Sequence, residues 1–174
     1  MELAVSGTVL NVLGPQPVAS LPSLTLSGFA VRKADVVYVA LSLYEPGSPQ
    51  HTVNSSTVAV TYSVPCGGCT VGRSSEYSLN TTSSVYDQIY RDLAAQGMLK
   101  YDDDMVYSIG EMGTKAGVTW VRQHAEPYFA MQKAAFTPVA FAGSVVKTDA
   151  GLDVMVAMPL QGTILIELVL EPAA

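Results

Sequence analysis

Val36-Val37-Tyr38-Val39-Ala40-Leu41-Ser42-Leu43-Tyr44 is a β-branched and aromatic run closed by Glu45-Pro46-Gly47-Ser48-Pro49. Such side chains fit a pleated sheet surface, whereas in a helix they lose rotamer freedom against the preceding turn. Proline fixes φ and donates no ladder hydrogen bond, so the run must stop where the prolines begin. A strand over 36–44 follows. Downstream, Thr57 to Val64 sets Val58, Val60, Tyr62 and Val64 against smaller polar partners, the period of two that marks a half-buried strand.

Working outward, Leu3 to Leu13 is apolar at Leu3, Val5, Val9 and Val12, and Gly14-Pro15-Gln16-Pro17 breaks it, which predicts a strand and a turn. Towards the other end, Met105 to Ile109, Val118 to Arg122, Tyr128 to Gln132, Pro138 to Lys147, Leu152 to Met158 and Thr163 to Leu170 read as further strands between Gly-containing or Pro-containing breaks. One helix is expected over Val85 to Gln96: Ser84 caps it, Asp87 lies near its N-terminal dipole, Val85, Ile89 and Leu93 recur at i, i+4 and i+8, and Gly97 supplies a left-handed stop. Ser74 to Ser84 reads as a polar loop. The fold class expected is all-β, a single jelly-roll or β-sandwich barrel of about eight to ten strands with this one short α-helix, residues 1–174 forming one domain.

Composition narrows the function classes. A chain of 174 residues buries roughly two thirds of the surface its unfolded form exposes and needs no staples to fold. Nine Lys and Arg against fifteen Asp and Glu give a formal charge of −6, which repels phosphate backbones, so no nucleic-acid partner is expected. Mean hydropathy is positive at +0.30, but Val36 to Leu43 and Ile164 to Leu170 fall far short of the ~20 residues that a helix needs to span a bilayer. Glu2 stands where a secretory leader would carry Lys or Arg, so the chain is expected to be made in the cytoplasm. With 49% hydrophobic and 14% charged residues, much of the exterior must be Ser, Thr, Gly, Ala and apolar atoms, a surface suited to contacts with other subunits. The plainer reading is a monomeric sandwich coated with Ser and Thr.

Several local features carry possible chemistry. Cys66-Gly67-Gly68-Cys69 is a C-x-x-C whose glycines allow a tight turn. Its readings are a zinc site completed by His51 and His124, a thioredoxin-like redox pair, a disulfide within the turn or between subunits, or two plain thiols. The zinc set has unusual spacing, and the residues after Cys69 lack the helical period that a thioredoxin-like pair requires. Asp102-Asp103-Asp104 with Glu111 offers oxygen ligands to a hard cation but lacks EF-hand spacing, so a solvated loop is expected. His124 with Glu126 has no Gly-x-Ser-x-Gly elbow beside it. Asn54-Ser55-Ser56 and Asn80-Thr81-Thr82 match glycosylation acceptors and read as loop residues. No enzyme and no cofactor are expected.

Two features bear on surfaces. Trp120, the single tryptophan, reads as a half-buried strand residue or as an interface anchor. Thr163 to Leu170 is apolar on both strand faces except at Glu167, so Ile164, Ile166, Leu168 and Leu170 must be central in a sheet or covered by a neighbour, and they join Trp120 as interface candidates.

In length, strand density and the Pro-rich segment Gly14-Pro15-Gln16-Pro17-Val18-Ala19-Ser20-Leu21-Pro22, the chain resembles viral coat proteins, more narrowly the smaller major capsid protein of membrane-containing icosahedral phages of thermophiles. That resemblance implies a single upright jelly-roll barrel that forms dimers, located in the virion. It implies a shell shared with a larger barrel relative, close to an internal viral membrane without spanning it. The function expected is that of a virion structural protein whose partners are copies of itself and other coat proteins. The alternatives are a tail, spike or decoration protein, or a carbohydrate-binding or protein-binding sandwich with Trp120 and Tyr128 as platforms.

Overall fold

The computed structural model describes residues 7–18, 21–45, 56–100 and 113–171. Along the chain run β1 (Thr8–Val18), β2 (Leu21–Lys33), β3 (Val36–Tyr44), β4 (Thr57–Val64), β5 (Val71–Leu79), α1 (Val85–Ala95), α2 (Lys115–Gln123), α3 (Ala125–Ala135), β6 (Val139–Ala140), β7 (Ser144–Lys147), β8 (Leu152–Pro159) and β9 (Gly162–Leu170). The strands form two antiparallel sheets, one of six in the order β1-β2-β3-β9-β5-β6 and one of three in the order β4-β8-β7. The chain is a mostly-β sandwich. Its pairings are nested: β3 with β9, β4 with β8 inside that, and β5 with β6 inside both.

Period-two alternation builds the core. Val37, Val39, Leu41 and Leu43 of β3 point inwards and are fully buried, as are Ile164, Ile166 and Leu168 of β9 beside them. Val60, Tyr62 and Val64 of β4 lie directly opposite Val156, Val154 and Leu152 of β8 and close the other wall. Each fully buried aliphatic side chain contributes about 1.5–3 kcal/mol, so these central strands hold the sandwich together. Asn11 Nδ2 of β1 reaches across to donate to the Ser63 carbonyl at 2.9 Å. The Tyr62 hydroxyl is buried and finds no hydrogen-bond partner among the described residues, and burial raises its pKa.

α1 forms as its sequence predicts. Ser84 accepts from the Asp87 amide at 3.3 Å, and Gly97 at φ +65° ends the helix. Met98 N donates to Leu93 O and Gly97 N to Ala94 O, the paired bonds of a Schellman stop.

Four expectations need correction. Val118 to Arg122 and Tyr128 to Gln132 are helical, in α2 and α3, so there are three helices among the described residues rather than one. In α2 the buried positions are Gly117 and Val121, one helical turn apart, and Thr114 caps the helix by accepting from Gly117 N at 3.1 Å. α3 carries Pro127 in its first turn, where its missing N–H is not needed, and continues through the strong helix formers Ala130-Met131-Gln132-Lys133-Ala134-Ala135.

Gly14-Pro15-Gln16-Pro17 does not break β1. The pairing with β2 shifts register between Leu13 and Gln16, and the strand continues to Val18, because an edge strand tolerates prolines that a central one would not. The polar stretch from Ser74 is β5 as far as Leu79, paired with β9; backbone pairing with a buried strand outweighs its weak β propensity. Pro138 to Lys147 is two short strands, β6 and β7, one in each sheet. Met105 to Ile109 lies outside the described residues.

The helices make a second, smaller core of Ile89, Leu93, Val121 and Tyr128, with Trp120 half-buried against it. A chain of hydrogen bonds ties it together: Arg91 donates to Gln88 Oε1 at 2.9 Å, Gln88 Nε2 to Asp92 Oδ1 at 2.8 Å, and the Tyr128 hydroxyl to Asp92 Oδ2 at 2.7 Å. Burial, and then the hydrogen bond to and charge of Asp92, push the Tyr128 phenol far above its ordinary pKa. No helix among the described residues is long and apolar enough to cross a membrane.

Candidate interface surface

The larger sheet has a second face, turned away from the three-stranded sheet. Directly paired residues share a face, so the register places Val12, Phe29, Ala40, Leu165 and Tyr77 in one row across β1, β2, β3, β9 and β5. Exposure falls along that row from β1 to β9. Val12 is 67% exposed and Phe29 39%, Ala40 is half-buried, and Leu165 is 9% exposed. The end of α3 explains the drop: Ala135 and Phe136 stand beside Leu165, Tyr77 and Leu79 around a cavity of about 210 Å³. On the uncovered side a shallower groove of about 410 Å³ runs past Val12, Pro15, Phe29, Ala40 and Thr163.

Neighbouring rows are more mixed: Val31 in one is only 4% exposed, and hydroxyls line the other. Val9, itself 60% exposed, leads through Val31 and Tyr38 to Glu167. Burial is the larger cause of a raised Tyr38 pKa, with Glu167, Tyr77 and Asp35 adding to it. Ser27, Ser42, Thr163 and Leu79 make a row with small hydroxyls, the Ser42 and Thr163 oxygens 3.1 Å apart. Electrostatically, the edge of this face is unlike the rest of the chain. From Gly7 to Ala34 there is no Asp or Glu, and Arg32 and Lys33 are the only charges. β1 itself is uncharged throughout, and among the described residues no strand lies beside its outer backbone edge.

The C-x-x-C lies on the connection from β4 to β5, where the chain passes from the smaller sheet to the larger. Cys66 and Cys69 form a disulfide with Cα atoms 5.6 Å apart, the reading within the turn among those the sequence left open. Cys69 N donates to Cys66 O at 3.1 Å, and Gly68 takes φ +77° to close the turn. Arg32 Nη1 lies 3.9 Å from Cys66 Sγ and 3.8 Å from Cys69 Sγ.

The remaining sequence candidates fall elsewhere. His51, Asp102 to Asp104, Glu111 and the Asn54-Ser55 pair lie outside the described residues. His124 is exposed between α2 and α3, stacked on Trp120 at 4.3 Å between ring centroids. Among the described residues no three His, Cys, Asp or Glu side chains gather to hold a metal ion. Asn80 accepts from Thr82 N at 2.8 Å and Ser83 N at 3.2 Å, shaping the turn that leads into α1.

Ile164, Ile166, Leu168 and Leu170 do not form a surface. β9 is central, with β3 on one side and β5 on the other, and all four side chains lie in the main core. Tyr128 is buried, which removes it as a platform. The residues that do face outward, Val9, Val12 and Phe29, are not singled out by their sequence, because alternation marks one buried face per strand and does not say which side stays bare. The available signal is the acid-free stretch from Leu3 to Ala34.

Comparison of the chain with protein-family models, with curated proteins and with solved structures gave no match.

Proposed function

We propose that this chain is a self-associating structural subunit, a virion coat protein that builds a shell through contacts between copies of itself and with other coat proteins. The observation that carries the reading is the β1 side of the larger sheet, where the outer face is exposed and the backbone edge pairs with no other described strand. An uncharged edge strand bearing exposed Val9 and Val12 next to Phe29 is a template for pairing with another chain, a liability that isolated proteins blunt with charges. Copies that each carry −6 repel one another least where they carry no carboxylate. The nested pairings support the same reading, since β3·β9, β4·β8 and β5·β6 follow the winding of a jelly roll, with helices between β5 and β6 in place of an innermost strand pair. Location in a virion, beside an internal membrane and a larger barrel relative, belongs to this proposal through the resemblance.

The test is absolute mass by light scattering behind size exclusion over a range of concentrations. Dimers or larger closed assemblies are expected. A strict monomer at high concentration would overturn the reading in favour of a sandwich that binds apolar ligands in the cavity beside Phe136 and Leu165.

A further inference from the structure

We propose that Cys66–Cys69 is a redox-active disulfide that exchanges with small thiols, with the Arg32 guanidinium stabilising the thiolate released when the bond opens. Three features place reactive chemistry here. The sulfurs face one cation at nearly equal distance, 3.9 and 3.8 Å. That cation is held in position, since Arg32 Nε donates to the Ala34 carbonyl at 3.0 Å. And the turn that joins the two cysteines is open: Gly67 and Gly68 are exposed, and a Cβ added at either would meet nothing within 4 Å.

A neutral disulfide gains little from a neighbouring guanidinium. A thiolate gains a great deal, because a cation within a few ångströms lowers a cysteine pKa and makes that sulfur the better leaving group. In a thioredoxin-like pair a helix N-terminus supplies the positive potential. This turn leads into β5 instead, and Arg32, at the end of β2, takes the place of the helix.

The exchange balances with two equivalents of thiol. A thiolate attacks one sulfur of the pair, the S–S bond breaks, and the other sulfur leaves with the electron pair beside Arg32. A second thiol then attacks the external sulfur of the mixed disulfide and releases it as an external disulfide. Cys66 and Cys69 end as thiols, having taken up two electrons and two protons, and the reverse steps reoxidise them. The cysteines are only 5% and 7% exposed and pack in the main core, so the incoming thiol must reach them over the exposed Gly67-Gly68 turn.

The experiment treats the intact folded protein with reduced glutathione, then follows iodoacetamide labelling between about pH 5 and 9. Wild type is compared with Arg32→Gln and Arg32→Lys, and Cys66→Ser with Cys69→Ser is the blank. Native-state reduction is expected, with a labelling midpoint below the ~8.5 of a free thiol. Arg32→Gln should raise that midpoint by about one unit, slowing labelling at neutral pH about tenfold, and Arg32→Lys should keep most of the effect. The same midpoint in wild type and Arg32→Gln, or reduction only after denaturation, overturns the proposal. If Arg32→Gln does not fold, added salt reads the same charge: a wild-type midpoint that salt leaves in place overturns it.

Discussion

The two faces of the larger sheet are built from the same strands and similar side chains, yet they have opposite fates. On the inner face Ala30, Val39 and Ile166 meet side by side and are wholly buried. One residue along, on the outer face, Phe29, Ala40 and Leu165 meet in the same way and range from 39% exposed to 9%. Side-chain chemistry does not separate the two rows. Among the described residues, what lies above them does: the second sheet over the inner row, and the end of α3 at one end of the outer row. Buried core and exposed face are therefore distinguished by the third layer, which pairing within the sheet does not specify.

The comparison can be broken most severely at β9. Deleting Thr163 to Ala174 removes the central strand and should abolish folding; a soluble fragment with a cooperative melt would show that the inner face does not depend on β9. Single truncations come next. Ile166→Ala should cost about 2–5 kcal/mol in chemical denaturation, the range for opening a cavity in a packed core. Leu165→Ala, its outward neighbour beneath α3, should cost less, and an equal loss would make the two faces equivalent.

Two tyrosines sharpen the contrast between the sheet core and the helical layer. Tyr128→Phe deletes the hydroxyl bonded to Asp92 and should cost about 1.5–3 kcal/mol, the range for a hydrogen bond to a charged group. Tyr62→Phe deletes a buried hydroxyl without a partner among the described residues and should be neutral or stabilising by up to about 1 kcal/mol. The raised pKa of Tyr128 adds a pH signature. Below the unfolded value of 10.0 both states keep the proton. Above it only the unfolded phenol ionises, so stability falls as pH rises. Tyr128→Phe should flatten that alkaline fall, and an unchanged slope would remove the assignment.

The smallest effect on stability belongs to the bare end of the row. Val12→Lys should change unfolding free energy by less than about 0.5 kcal/mol while lowering the mass measured by light scattering. An assembly that ignores a lysine at Val12 would place the contact elsewhere.

Much of this architecture is legible from residue patterns, and the exceptions share a cause. β3 and β4 begin and end where their alternation does, β8 and β9 within one residue of it, and the caps of α1 mark its ends. Those elements carry their own signal because burial on one face, or capping at an end, acts on adjacent residues. β5 carries none. Its inward positions Ser74, Glu76 and Ser78 are polar, and it is a strand because β9 offers it a ladder from far along the chain. α2 reads as a strand in the sequence because Val118, Trp120 and Val121 mimic a short one, while the residue that seats the helix is Gly117, against Leu93 and Met98. At the candidate sites the cysteine pair was visible in sequence, but Arg32 was not, being 34 residues from Cys66. Nothing local joins them.

The nesting of the strand pairs has a consequence in time. β3 has β2 on one side, but its other partner is β9, more than a hundred residues later. β5 waits for that same strand. Until Leu170 has been synthesised, both strands present open edges to the crowded surroundings of a growing chain, and the long loop that brings them together must close against its own entropy. The last of the nine described strands is thus the one that completes the larger sheet, so folding should proceed in a single late step and be sensitive to pauses that leave β9 unmade.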